Sequence, residues 1–88
     1  MIVSAAVKIK DLRQNKEIII PCHRHCNAFY ILKEFGYRPR IDYKEIAQGF
    51  LDENDNFYTR IAAYNHAVEC GQIAPSDFPH ELYSEDLW

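Results

Sequence analysis

The sequence predicts an α+β fold: a small antiparallel sheet of two hairpins, two helices packed on it, and a docked C-terminal tail. Three observations point there. Two pairs of strand-like runs are each interrupted by a polar turn, each pair is followed by a segment of helical period, and each such segment stops at a glycine. The 88 residues form a single domain, 1–88. A chain of this length buries only about 60% of its unfolded surface and has no room for a second core.

"IVSAAVKIK" sets Val3, Ala5, Val7 and Ile9 against Ser4, Ala6, Lys8 and Lys10, the alternation of a half-buried strand. "DLRQNK" supplies the turn, and the β-branched run "EIIIPC" pairs back antiparallel. Pro21, lacking an amide proton, is expected to stop the ladder. From about His23 the spacing becomes helical for three turns, until Gly36 supplies a left-handed stop. The following "YRPRIDYKEIA" has no clear period and reads as irregular or briefly extended, with Pro39 biasing Arg38 to extended geometry.

In "QGFLDENDNFYTR", Phe50 and Leu51 mirror Phe57 and Tyr58 across an acidic turn, which predicts the second hairpin. Thr59 then stands as the N-cap of a helix through "RIAAYNHAVEC" that ends at Gly71. The remaining stretch, 72–88, carries Phe78, Leu82, Tyr83, Leu87 and Trp88. That is too much apolar surface to leave in water, so it is expected to dock on the body or on a neighbour.

Hydrophobic residues at 48%, with three glycines and four prolines, exclude a disordered chain. An odd count of three cysteines and a start without a leader pattern point to a reducing cytosol. No apolar run reaches the length of a membrane span. A formal charge of −3 disfavours duplex nucleic acid. Yet nine of the ten Lys and Arg fall between Lys8 and Lys44, and such an asymmetric field suits a small anion.

Chemistry concentrates in "CHRHC", residues 22–26. Cys22 and Cys26, with His66 and Cys70 one turn apart in "HAVEC", have the spacing of two zinc-clasping pairs, though no short Cys-x-x-Cys knuckle is present. Cys26 beside His23 or His25 would make a nucleophile with its base, but nothing in the sequence orients that base. The plain alternative makes the cysteines small hydrophobes. Arg24 and His25 at a helix start, where exposed amides gather, also suit a phosphate. Arg60 repeats that placement in the second helix, against the local preference of the helix dipole, or it pairs with a nearby acid such as Asp52, Glu53 or Asp55. Phe57 offers a ring on which a base can stack. In the tail, His80, Glu81 and Asp86 have the chemistry to hold ribose hydroxyls, unless the tail serves only as a docking strap.

The early "RH" before a helix, "QGF" with a turn and "F-x-x-R", the helix closing in "GQI", and the ending "LYSEDLW" resemble the phage-encoded Thoeris anti-defence family. The similarity runs from about Arg24 to Trp88. It implies a phage protein that sequesters a cyclic nucleotide messenger of the cyclic ADP-ribose type, or in some members cyclic di- or trinucleotides, without cleaving it, so blocking bacterial defence signalling, and possessing no enzymatic activity and no cofactor. It also implies a homodimer or higher homo-oligomer in the host bacterial cytosol. Relative to that family the segment between "GQI" and the ending is shortened to "APSDFPHE", and "HRHC" stands in place of "RHH". Arg24, His25, Phe57, Arg60, His80, Glu81 and Asp86 are the candidate ligand contacts. The competing readings are a small protein-binding adaptor or inhibitor acting through the aromatic tail, and a zinc-stabilised module.

Overall fold

The structure, a computed structural model, describes residues 1–75, 81–83, 86 and 87. Strand β1 is Ile2–Asp11 and β2 is Lys16–Cys22, followed by helix α1, His25–Glu34. Strand β3 is Tyr43–Asp52 and β4 is Phe57–Thr59, leading into helix α2, Arg60–Glu69. The sheet order is β2-β1-β3-β4, antiparallel throughout. The two expected hairpins are therefore joined side by side through β1 and β3, with Phe50 opposite Tyr58 and Leu51 opposite Phe57.

Alternation in β1 decides which face is covered, because successive side chains point to opposite sides. Ala5, Val7 and Ile9 lie on the helix face, and each helix closes one part of it. Helix α1 places Ala28 and Leu32 over Val7, Ile9 and Tyr43. Helix α2 places Ala63, Tyr64 and Ala67 over Ile2, Ala5 and Phe50. Alanines at the contact let the helix backbones approach the sheet closely. Fully buried Phe50 and Leu82 each contribute about 1.5–3 kcal/mol through lost water contact.

The tail docks as expected: Leu82 is fully buried in the α2 cluster, and Leu87 packs against the same cluster. Beyond the glycine stop of α2, Gln72 clips the start of β1. Its Oε1 accepts from Ile2 N at 2.8 Å and its Nε2 donates to Ile2 O at 2.7 Å. Thr59 caps α2 by accepting from Ala62 N at 3.3 Å. At the end of α1, Gly36 takes φ 76, and Tyr37 N donates to Leu32 O at 2.9 Å, the paired-bond C-cap that glycine favours.

Three local expectations change. Pro21 does not stop the ladder, which continues through Pro21 opposite Ala6 and Cys22 opposite Ala5. Strand β2 is an edge, where a missing N–H can face away from the sheet. Helix α1 consequently begins at His25, with Arg24 extended at its N-cap and Arg24 N donating to Asn27 Oδ1 at 2.9 Å. Strand β3 begins at Tyr43, inside the stretch expected to be irregular. Its alternation is disguised because the register slips between Lys8 and Ile9, leaving Ile46 with no β1 partner, and because β4 covers only Gly49, Phe50 and Leu51. Among the described residues no helix is long and apolar enough to cross a membrane.

Candidate functional site

Two of the predicted contacts, His25 and Arg60, come together where both helices meet β3. His25, at the first turn of α1, is buried and sets its ring edge-on to Phe50, with centroids 5.2 Å apart. Its Nε2 lies 2.8 Å from Gly49 O and its Nδ1 3.3 Å from Arg60 Nη2. A carbonyl only accepts and a guanidinium only donates, so these partners fit the neutral ring with its proton on Nε2. Arg60 also donates to Gln48 Oε1 at 2.6 Å and to Leu82 O at 2.9 Å, while Leu82 N donates back to Arg60 O at 2.9 Å. The Arg60 guanidinium lies 5.0 Å from the Tyr83 ring. It thereby ties α1, β3 and the tail to α2, and the salt bridge expected with Asp52, Glu53 or Asp55 is not formed.

The other predicted contacts lie elsewhere. Arg24 is the N-cap of α1. Phe57 sits on the helix-free face of the sheet, against Gly49 and 4.9 Å from the Lys8 ammonium. Asp86 accepts from Tyr83 N at 2.9 Å, and Glu81 from the Tyr83 hydroxyl at 3.4 Å, so both belong to the tail's own turn. His80 lies outside the described residues, as do Phe78, Glu85 and Trp88. Cys70 and His66 approach to 3.6 Å, with His66 stacked on Tyr58. Cys22 and Cys26 do not join them: no three metal-ligating side chains gather among the described residues. Partial burial pushes the Cys22 thiol above its ordinary range, away from a reactive thiolate.

A larger concave surface lies on the side of α1 that faces β3. An open groove of about 790 Å³ is lined by Phe29, Pro39, Arg40, Tyr43, Lys44, Glu45 and Gln48. It shares Phe29, Pro39 and Tyr43 with a second hollow of about 550 Å³ that adds Tyr30, Lys33, Tyr37 and Arg38. Four rings and four cations thus surround one carboxylate, Glu45, which accepts from Gln48 Nε2 at 2.7 Å. Among the described residues, Arg38 pairs with Asp42, whereas Lys33, Arg40 and Lys44 have no carboxylate within ion-pair reach.

The loop over residues 36–42 that carries these cations is fixed from below. Asp42 accepts from Arg13 Nε at 3.1 Å, Arg38 N at 2.7 Å and Arg38 Nε at 3.2 Å. The Arg13 guanidinium, followed by the Arg38 amide, holds the Asp42 carboxyl down at about 2. Buried Asp11 accepts from the Tyr37 hydroxyl at 3.0 Å and from Arg13 N at 2.9 Å. Arg13 itself stacks 4.1 Å from the Tyr37 ring centroid and donates to Gly36 O at 2.7 Å. Arg40 turns the chain back with φ 67, its amide donating to Tyr43 O at 2.8 Å.

The family model described as Phage T4 y16D protein matches residues 1–88. The chain belongs to that family. It is a small phage protein; no curated protein and no solved structure matches it. In this phage protein the motifs "RH", "QGF" and "F-x-x-R" mostly build the junction: Gln48, Gly49 and Phe50 each touch either His25 or Arg60. The groove instead draws on "YRPRIDYK", residues 37–44, where rings and cations alternate. That interleaving was the available signal for Arg38, Arg40, Tyr43 and Lys44, which sequence reasoning missed. Chemically, the groove offers flat apolar faces beside three cations, Lys33, Arg40 and Lys44, that have no carboxylate in ion-pair reach among the described residues. Gln48 links the two regions, lining the groove while accepting from Arg60.

Proposed function

We propose that this phage protein captures a small cyclic nucleotide, the class of messenger suggested by its likeness to the Thoeris anti-defence sponges, and holds it without cleaving it. The observation that carries this reading is the groove in which Lys33, Arg40 and Lys44 have, among the described residues, no carboxylate in ion-pair reach and stand beside Phe29, Tyr30 and Tyr43. Its size falls within the few hundred to about 1,000 Å³ usual for small-molecule sites. Among the described residues, those lining the groove include no histidine, cysteine or serine, which agrees with retention of the ligand as the reading. In this reading the protein acts in the host cytosol, where it lowers the free messenger and so blunts a defence response, and it does so as a homo-oligomer.

The test is retention followed by recovery. Purified protein is mixed with a panel of cyclic ADP-ribose-type molecules and cyclic di- and trinucleotides, filtered and denatured, and the released molecule is weighed by mass spectrometry. One member of the panel is expected back with its mass unchanged. In calorimetry, Arg40→Ala and Lys44→Ala should each weaken binding about ten-fold or more, since a charge-assisted bond contributes about 1.5–3 kcal/mol. Retention of none of the panel, a cleaved product, or undiminished affinity in both variants would each defeat the reading.

A further inference from the structure

The flank of α1 that faces away from the groove carries a different surface. Strand β2 ends the sheet, so its outward N–H and C=O groups meet no strand within the chain. Above that edge Ile31 is 40% and Phe35 74% exposed, and Ile19 on the strand itself is 37% exposed. Between helix and strand lies a hollow of about 230 Å³ whose lining includes Ile18, Ile20, Ile31, Leu32 and Phe35. An unused hydrogen-bonding edge and an apolar helix flank therefore lie side by side.

The other free edge is built differently. Beyond β4, strand β3 exposes Lys44, Glu45 and the unpartnered Ile46, and charge with a bulge is how natural edges discourage pairing. In β2 the three consecutive residues Ile18, Ile19 and Ile20 carry neither charge nor bulge, and their register with β1 is unbroken.

We propose that β2 and the Ile31–Phe35 flank of α1 form a two-fold interface with a second copy of this chain, the two β2 strands running antiparallel to make one sheet of double width. The strand is complementary to itself. A two-fold axis near Ile19 sets Ile18 opposite Ile20 of the partner subunit, Glu17 opposite Pro21 of the partner subunit, and Lys16 opposite Cys22 of the partner subunit, so no like charges face each other. Pro21 withholds a donor only near the end of that ladder. On the helix side the same axis brings the Phe35 and Ile31 flanks together and removes them from water. Because Phe29 and Lys33 lie on the opposite flank of α1, both grooves stay open in the dimer.

Sedimentation equilibrium across the micromolar range should give twice the chain mass of 10.4 kDa. Exchange of the Glu17 and Ile19 amides should slow as concentration rises. The pair Ile31→Ser with Phe35→Glu changes exposed positions, so its circular dichroism should match the wild type while its mass falls to that of one chain. Ile46→Lys, on the other free edge, should leave the dimer intact. A monomeric wild type, a dimer that survives the double substitution, or dissociation by Ile46→Lys would overturn this interface. Nucleotide retention measured on the same double variant reports the groove separately, since neither substituted residue lines it.

Discussion

The junction around Arg60 and the groove around Arg40 are built from similar parts and come to opposite ends. Each has an arginine beside an aromatic ring at the margin of α1. At the junction the Arg60 guanidinium meets acceptors on Leu82, His25 and Gln48, each on another element, so its charge holds the fold together. At the groove the acids close to Arg40 in sequence are already engaged, Asp42 by Arg13 and Arg38 and Glu45 by Gln48. A cation near a helix start is thus no evidence of a ligand until its partners are counted. What separates an internal tie from an anion grip is whether the surrounding structure has satisfied it.

The comparison is broken most severely at Gly49. A side chain there would overlap the Tyr58 carbonyl oxygen and the Phe57 ring, while the Gly49 carbonyl serves His25. Gly49→Val should push β4 off β3 and disturb the junction, lowering stability by about 3 kcal/mol, at the upper end of overpacking costs. The urea midpoint reads this at constant slope. A midpoint within error of the wild type would mean that β4 yields without cost and that the junction is not a rigid unit.

Much of the architecture was legible because its signals are local. The alternation of Ala5, Val7 and Ile9, the Thr59 cap, the two glycine stops and the mirrored Phe50–Tyr58 hairpin each depend on neighbours a few residues away, whereas Val3, expected on the same face, is exposed because the register with β3 shifts between Ile2 and Ser4. Strand β3 before Gln48 was hidden because Ile46 is an extra residue in its register against β1 and because β4 is missing beyond it, neither visible along the chain. The site was legible in part for the same reason. Helix-start logic singled out His25 and Arg60, and they do meet, but their acceptors lie far along the chain, Gln48 and Gly49 on β3 and Leu82 in the tail. The Phe57 ring reads equally well as a platform until Lys8 and Gly49 are found against it.

A smaller effect tests what holds the groove's cations in place. The Asp42 carboxyl sits at about 2 against an ordinary 3.8, with the Arg13 guanidinium as the leading cause. A carboxylate depressed in the folded state contributes stability that is complete above the unfolded value and is lost as the pH falls toward the folded one. The loop over residues 36–42 should therefore loosen between about pH 4 and pH 2. Asp42→Asn should be less stable than the wild type at neutral pH, and the gap should close through that acid range in paired denaturation curves. A gap of constant size from neutral pH to pH 2 would show that the Asp42 charge does not hold the loop.

The finest test exploits the backbone of Arg40. At φ 67 an L-residue pays roughly 1–2 kcal/mol relative to the right-handed region, a strain that glycine escapes. Glycine in turn loses more chain entropy on folding, about 0.5–1 kcal/mol, so the two effects nearly offset. Arg40→Gly should leave stability unchanged or raise it by no more than about 1 kcal/mol. The amide bond to Tyr43 O does not depend on the side chain and should persist. Affinity for the retained nucleotide, by contrast, should fall about ten-fold with the lost cation. Stability and binding would then move independently at one residue, which no structural role for the Arg40 side chain reproduces. If affinity stays level while stability drops, Arg40 is a second internal tie of the Arg60 kind, and the contrast between the two regions fails.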